Sequence, residues 1–185
     1  MPITRRNLFS AGAAAMTAAS YSRILGANDA IRLGVIGCGG RGRGVSGIFA
    51  RNPDVRIVAL CDVWAQRVAQ AATTLHAESA AKFGDHRRLL DEDQTDAIYI
   101  ATPDHWHCPI AIDALNSGKD VYCEKPLSLT IGEGPDVVRA ARENNKICQT
   151  GMQQRSGATF IQARDEYFKT NGERRSAPEY ENQTL

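Results

Sequence analysis

Four groups of residues in this 185-residue chain carry side chains or backbone geometry that could do chemistry together. The first is Gly37-x-Gly39-x-x-Gly42, which follows the apolar run Ile31, Leu33, Val35, Ile36 and precedes a small, periodic segment. Strand, glycine turn and helix in that order are what a dinucleotide-binding βαβ unit requires. Gly37 permits the tight turn, Gly39 lets backbone approach a pyrophosphate, and Gly42 lets the helix pack closely on the strand. The free N–H groups of the first helical turn would face the anion. Glycine-rich turns also form for structural reasons alone, so the loop does not decide the matter by itself. The second group is Asp62, 20 positions after Gly42. There a carboxylate can accept hydrogen bonds from ribose hydroxyls and repel a 2′-phosphate, and Val63-Trp64 supplies no arginine directly after it. This favours NAD over NADP, although an acidic N-cap for a following helix fits the same residue. The third group is Thr102-Pro103-Asp104-His105-Trp106-His107, and the fourth is Glu124-Lys125-Pro126.

The elements that must position these groups are legible as alternating strands and helices. Segment 43–51 has Val45, Ile48 and Phe49 on one side and is stopped by Asn52-Pro53-Asp54. Val55–Cys61 is apolar and β-branched, as a buried parallel strand is. A long Ala-rich helix is expected over Trp64–Lys82, with Val68, Ala71, Ala72 and Leu75 at helical spacing. Phe83-Gly84-Asp85 breaks it before a short helix over Arg87–Leu90. Ala97–Ala101 is the next strand, and Pro103 fixes the turn after it. Ile110, Ala111, Ala114 and Leu115 mark a helix closed by Gly118. Asp120–Cys123 is a short strand, and the helix after it is expected to be capped by Ser128 or Thr130 and irregular before Asp136. Lys146–Thr150 is the last strand of the series and Gly151 ends it. This β-α alternation predicts an α/β fold with a doubly wound parallel sheet. In such sheets ligands bind beyond the carboxyl ends of the strands, where all four groups fall, together with Gly151-Met152-Gln153-Gln154-Arg155.

Composition narrows the class. A formal net charge of +1 gives no sign of a nucleic-acid or polyanion partner. No apolar run approaches the ~20 residues of a membrane span. Five cysteines without a Cys-x-x-Cys pair argue against a disulfide framework and against zinc, and two histidines around Trp106 make no metal site without a third ligand. Thr4-Arg5-Arg6-Asn7-Leu8-Phe9 and the Ala-rich stretch from Ser10 to Ser20 read as a twin-arginine export signal over residues 1–28, with cleavage somewhere near Ala19 to Ala30 and a periplasmic destination. A disordered N-terminus with two chance arginines is the alternative.

Gly34-Val-Ile-Gly-Cys-Gly-Gly-Arg-Gly42, Thr102-Pro-Asp-His-Trp-His107 and Glu124-Lys-Pro126 together resemble the Gfo/Idh/MocA family, which contains glucose-fructose oxidoreductase and inositol 2-dehydrogenase. The likeness covers about residues 31–155. It implies a Rossmann domain binding NAD(P), here residues 29–150, followed by an α/β domain that forms the substrate site. Carried over by position, it counts Gly37, Gly39, Gly40, Arg41, Gly42, Asp62, Thr102, Pro103, His105, His107, Glu124 and Lys125 among the cofactor-binding residues. Thr102-Pro103 and His107 would line the nicotinamide side. Lys125 would be the catalytic residue, reaching a substrate hydroxyl or carbonyl, with Pro126 shaping the turn in a bond that is often cis in the family. A lysine so placed can polarise a carbonyl or help remove a hydroxyl proton; without that context it reads as a solvated turn lysine. His105 and His107 read equally as polar surface residues.

Residues 151–185 read as the start of a second α/β domain, with Phe160, Ile161, Ala163, Tyr167 and Phe168 on an amphipathic helix stopped by Asn171-Gly172. The segment from Glu173 to Leu185 reads as a polar tail. No histidine follows His107, so the family's second-domain catalytic histidine has no counterpart, and a truncated chain is the expectation. The leading reading is the NAD-binding domain of an exported oxidoreductase acting on a sugar or polyol, with a homo-oligomer as a further possible assembly. An NAD-dependent glycosidase of the same fold and a non-catalytic nucleotide-binding fragment are the alternatives.

Overall fold

The computed structural model describes residues 30–167. The twin-arginine segment, Phe168, the Asn171-Gly172 stop and the polar tail lie outside the described residues. The described chain divides into two compact units between Thr150 and Gly151.

From residue 31 the chain alternates β1 (Ile31–Ile36), α1 (Gly40–Phe49), β2 (Val55–Cys61), α2 (Ala65–Thr74), β3 (Ala81–Phe83), α3 (His86–Leu90), β4 (Ala97–Ile100), α4 (His107–Asn116), β5 (Asp120–Glu124), α5 (Glu133–Glu143) and β6 (Cys148–Gly151), whose last residue is the first of the second unit. The strands form one parallel sheet in the order β3-β2-β1-β4-β5-β6. Successive side chains of a strand point to opposite faces, and the core divides accordingly. Leu33, Val35, Leu60 and Tyr99 pack with Val45 of α1 and with Val68, Ala71 and Ala72 of α2. Ile36, Ala59, Ile98 and Ile100 pack on the other face with Leu89 of α3, Ile110 and Leu115 of α4 and Val137 of α5. Both faces are covered, so the sheet is doubly wound as its sequence pattern predicts.

The order reverses between β1 and β4, because the chain leaves β3 at one edge and re-enters beside β1. Ladder hydrogen bonds run past the strand ends there. Asp62 N–H donates to Phe83 O at 3.2 Å, Gly37 N–H to Cys61 O at 2.8 Å, and Ala101 N–H to Ile36 O at 2.8 Å. The exits of β3, β2, β1 and β4 are thereby brought into one line at the carboxyl edge.

Several elements differ from expectation for physical reasons. Helix α1 starts at Gly40 rather than at 43, although Gly40, Gly42 and Gly44 are poor helix formers. Its inward face is Gly42, Val45 and Ser46, which leaves Ile48 exposed. The helix expected over Trp64–Lys82 ends at Thr74. His76 takes φ 51° and Ala77 N–H donates to Ala72 O at 2.8 Å, a left-handed C-terminal stop. The alanines beyond it fit helix or strand equally, and Ala81–Phe83 pairs with Ala59–Cys61 as β3. Helix α5 begins at Glu133, with Gly134 and Pro135 inside its first turn, where a proline forfeits no helical hydrogen bond. Neither Ser128 nor Thr130 caps it through its side chain. Instead the Glu133 carboxylate accepts from the N–H groups of Leu129 and Thr130 at 2.8 and 3.2 Å. Gly118, at φ 73°, closes α4 as expected.

In the second unit a 3-10 turn (Gln153–Ser156) leads to α6 (Ala158–Tyr167). The helix is present, but Phe160 and Ile161 are exposed rather than forming a buried stripe.

Burial predicts a sharp contrast between two isoleucines. Ile98→Ala, in a fully buried strand position, should lower unfolding free energy by about 2–5 kcal/mol. Ile131→Ala, at a side chain 97% exposed, should change it by less than about 0.5 kcal/mol. Urea unfolding followed by circular dichroism reads both.

Candidate functional site

The exits of β1 and β4 meet with almost no space between them. A Cβ built on Gly37, whose φ is +95°, would lie 2.5 Å from the Ala101 carbonyl, and one on Gly42 would lie 1.8 Å from Gly37 O. At both positions glycine is a steric requirement. Gly39 differs: its φ is −66°, and its nearest neighbour, Arg67 Nη1, would be 4.0 Å from an added Cβ. Its open side faces a cleft of about 410 Å³ lined in part by Gly37, Gly39, Asp62, Thr102, Pro103 and His105.

Polar groups stand in that cleft and next to it in the chain. The first hydrogen bond of α1 runs from Arg43 N–H to Gly39 O at 2.9 Å, so the amides of Gly40, Arg41 and Gly42 have no helical acceptor. Asp62 is buried and its carboxylate accepts from Cys38 N–H and from Trp64 N–H, both at 2.9 Å. It therefore ties the glycine loop to the turn into α2. The residue flanking that helix is Trp64, so Asp62 is not its N-cap. Two hydrogen bonds leave acceptor capacity on a carboxylate with about four lone-pair sites. The Thr102 hydroxyl is buried and has no hydrogen-bond partner.

The other residues singled out from sequence occupy a second layer. Arg41 Nη2 lies 3.1 Å from Glu124 Oε2, and the Tyr99 hydroxyl donates to Glu124 Oε1 at 3.2 Å. Glu124 is buried and Arg41 half-exposed, so this pair anchors the first turn of α1 to the end of β5. Burial first, and the Glu124 carboxylate next, push the Tyr99 phenol well above its ordinary value. His107 is buried rather than lining the cleft. Its Nδ1 is 2.6 Å from Pro126 O and its Nε2 2.9 Å from Thr102 O, which joins the exits of β4 and β5. Lys125 is exposed at the end of β5, and the Lys125–Pro126 peptide bond is cis. Gly40, Arg41, Gly42, His107, Glu124 and Lys125 thus do not line the cleft, whereas Arg67, Gly84 and His86, which sequence reasoning passed over, do, as does Trp106 of the third group. Their position one to six residues beyond strand ends was the available signal.

The loop thiols offer no nucleophile. Burial, with Asp62 next, pushes Cys38 up to about 12, and burial, with Cys38 next, does the same to Cys61. Cys108 is raised to about 11, chiefly by burial.

An open glycine cradle, unbonded helical amides, a carboxylate with spare acceptors and an orphaned hydroxyl fit a dinucleotide. Comparison with known proteins decides the matter: residues 31–152 match the GFO_IDH_MocA model, described as an oxidoreductase family with an NAD-binding Rossmann fold. The chain belongs to the Gfo/Idh/MocA family. It is 36% identical over 129 residues to a glycosyl hydrolase family 109 protein of Saccharopolyspora erythraea, covering 66% of this chain and 28% of that one. It is 33% identical over 112 residues to an inositol 2-dehydrogenase of Salmonella typhimurium, covering 60% and 33%. Among solved structures it is similar to the WlbA dehydrogenase of Bordetella pertussis in complex with NADH and UDP-GlcNAcA, with a TM-score of 0.67, 26% identity and coverage of 74% and 41%. The myo-inositol 2-dehydrogenase of Lactobacillus plantarum gives a TM-score of 0.67, 28% identity and coverage of 74% and 40%. The chain spans about a third of the length of the curated relatives it matches. Residues 31–152 are the NAD-binding Rossmann domain of that family.

Thiol chemistry checks the packing of this loop. At pH 8 the native chain should leave Cys38, Cys61, Cys108 and Cys123 unreactive toward an aromatic disulfide reagent for hours, and denaturant should release them within minutes. Rapid labelling of Cys38 in the native chain would mean that the loop is not packed as described.

Proposed function

We propose that this domain binds NAD in preference to NADP and serves hydride transfer to and from a sugar or polyol in the whole protein. The observation that carries the cofactor preference is Asp62, buried at the end of β2 beside the open cradle of Gly39, where its charge disfavours a 2′-phosphate. Bound NAD would supply the hydride acceptor. The amides of Gly40, Arg41 and Gly42 would hold its pyrophosphate, Asp62 the ribose hydroxyls and the Thr102 hydroxyl a further polar atom of the ligand. Lys125, exposed at the end of β5, is free to hold the proton of a substrate hydroxyl and to return it. The Arg41–Glu124 pair and the His107 bridge support it by fixing the end of β5 against α1 and the β4 exit. Substrate contacts beyond Lys125 would come from the rest of the whole protein, for which a homo-oligomer is the proposed assembly. The Arg5-Arg6 segment supports export by the twin-arginine route to the periplasm.

A second reading keeps the cofactor and changes the net reaction. The likeness to glycosyl hydrolase family 109 proteins, at 35–38% identity, supports transient oxidation during glycoside cleavage, with no net NADH released. Net NADH formation by the whole protein separates the two.

Gly39→Val tests the cofactor site cleanly, since an added side chain meets open space and φ is ordinary. The variant should melt like the parent chain yet lose NADH affinity at least about tenfold in a fluorescence titration, as its side chain fills the cradle. The parent chain should prefer NADH to NADPH. Equal binding of NADH by parent and variant would remove the basis of the proposal.

A further inference from the structure

Arg41, the cation of the glycine loop itself, is engaged by Glu124, and Arg43 donates to Cys38 O at 2.9 Å. Neither guanidinium lines the cleft. Two arginines do, Arg67 and Arg87, and Arg87 lies 3.6 Å from the Asp85 carboxylate. Among the described residues the Arg67 guanidinium has no hydrogen bond and no ion pair; it lies over the Trp64 ring with its carbon 5.0 Å from the centroid. The two residues are i, i+3 neighbours at the start of α2, so the indole steers the guanidinium along the helix surface toward the loop. Its Nη1 comes within 4.0 Å of the space a Gly39 Cβ would take, which is the open side of the cradle.

Charge balance points the same way. A pyrophosphate diester carries two negative charges, whereas the N-terminus of α1 supplies a partial positive charge of about one half. Asp62 adds a full negative charge to the same wall of the cleft. A cation on the cleft wall would offset that charge, and among the described cationic lining residues Arg67 is the one with no ion pair. We propose that Arg67 is the pyrophosphate clamp of this domain, donating to the phosphate oxygens across the cradle from the α1 amides while Trp64 holds it in place. The proposal rests on the dinucleotide reading of the cleft. Two parallel donors of a guanidinium match two phosphate oxygens, which a lysine does not reproduce.

The test uses the full 185-residue chain, its Arg67→Met and Arg67→Lys variants, and four ligands: NADH, NADPH, ADP and adenosine. Calorimetric or fluorescence titration at low and at physiological salt is the readout. Arg67→Met, at an exposed site, should keep the parent melting curve, lose about tenfold in affinity for NADH and ADP, and leave adenosine binding unchanged. The salt dependence of NADH binding should become shallower, and Arg67→Lys should recover part of the affinity. Equal losses for ADP and adenosine would place Arg67 on the base, and a loss confined to NADPH would place it on a 2′-phosphate. Either result overturns the proposal, as does unchanged NADH affinity in both variants. Failure of the parent chain to bind NADH or ADP would instead overturn the dinucleotide reading, and the clamp with it.

Discussion

The structure depends on a contact with no room for a side chain. Gly37 lies against the Ala101 carbonyl, and Gly42 lies against the Gly37 carbonyl, so β1, α1 and the exit of β4 close on one another backbone to backbone. Any Cβ at either glycine would push α1 away from the sheet. That closeness aims the first turn of α1 at the gap between β1 and β4, where the strand order reverses. The cleft has room because the third glycine of the group, Gly39, meets only the Arg67 guanidinium, at 4.0 Å, on its own open side. Two glycines are needed for packing and one leaves space.

Around that contact the polar groups work in two layers. Asp62 and Thr102 face the cleft, and Asp62 also fixes the loop through the Cys38 and Trp64 amides. Behind them, Arg41, Glu124 and Tyr99 tie α1 to β5, and His107 ties the β4 exit to Pro126. The second layer makes the position of Lys125 depend on the same loop that cradles the cofactor. A buried carboxylate is costly unless compensated, and Glu124 is met by a guanidinium and a phenol. Cofactor cradle and strand end are therefore one mechanical unit.

Much of this was legible in the sequence, because periodicity reports burial and strand ends report function. β1, β2, β4 and β5 are short apolar runs, and each is followed at once by the residues that mark it. β3 was not legible. Three residues within an alanine-rich stretch carry no period, and only the left-handed turn at His76 separates them from α2. Helix α1 began earlier than propensity allows because tertiary packing of Gly42 outweighs the poor helix preference of three glycines. The site divided along a similar line. Backbone-defined members, Gly37, Gly39, Asp62 and Thr102, fall where spacing puts them, whereas the direction of a long side chain does not follow from spacing. Arg41 turns to Glu124, and Arg67, one turn into α2, turns toward the loop.

Backbone amide shifts are the most direct measure of whether the α1 N-terminus is the anion cradle. In a nitrogen-15 spectrum of the labelled chain titrated with NADH, the largest saturable changes should fall on Gly39, Gly40, Arg41, Gly42 and Asp62, with Lys125 changing less. Binding that left those amides unmoved, or that moved residues scattered over the sheet instead, would contradict the account.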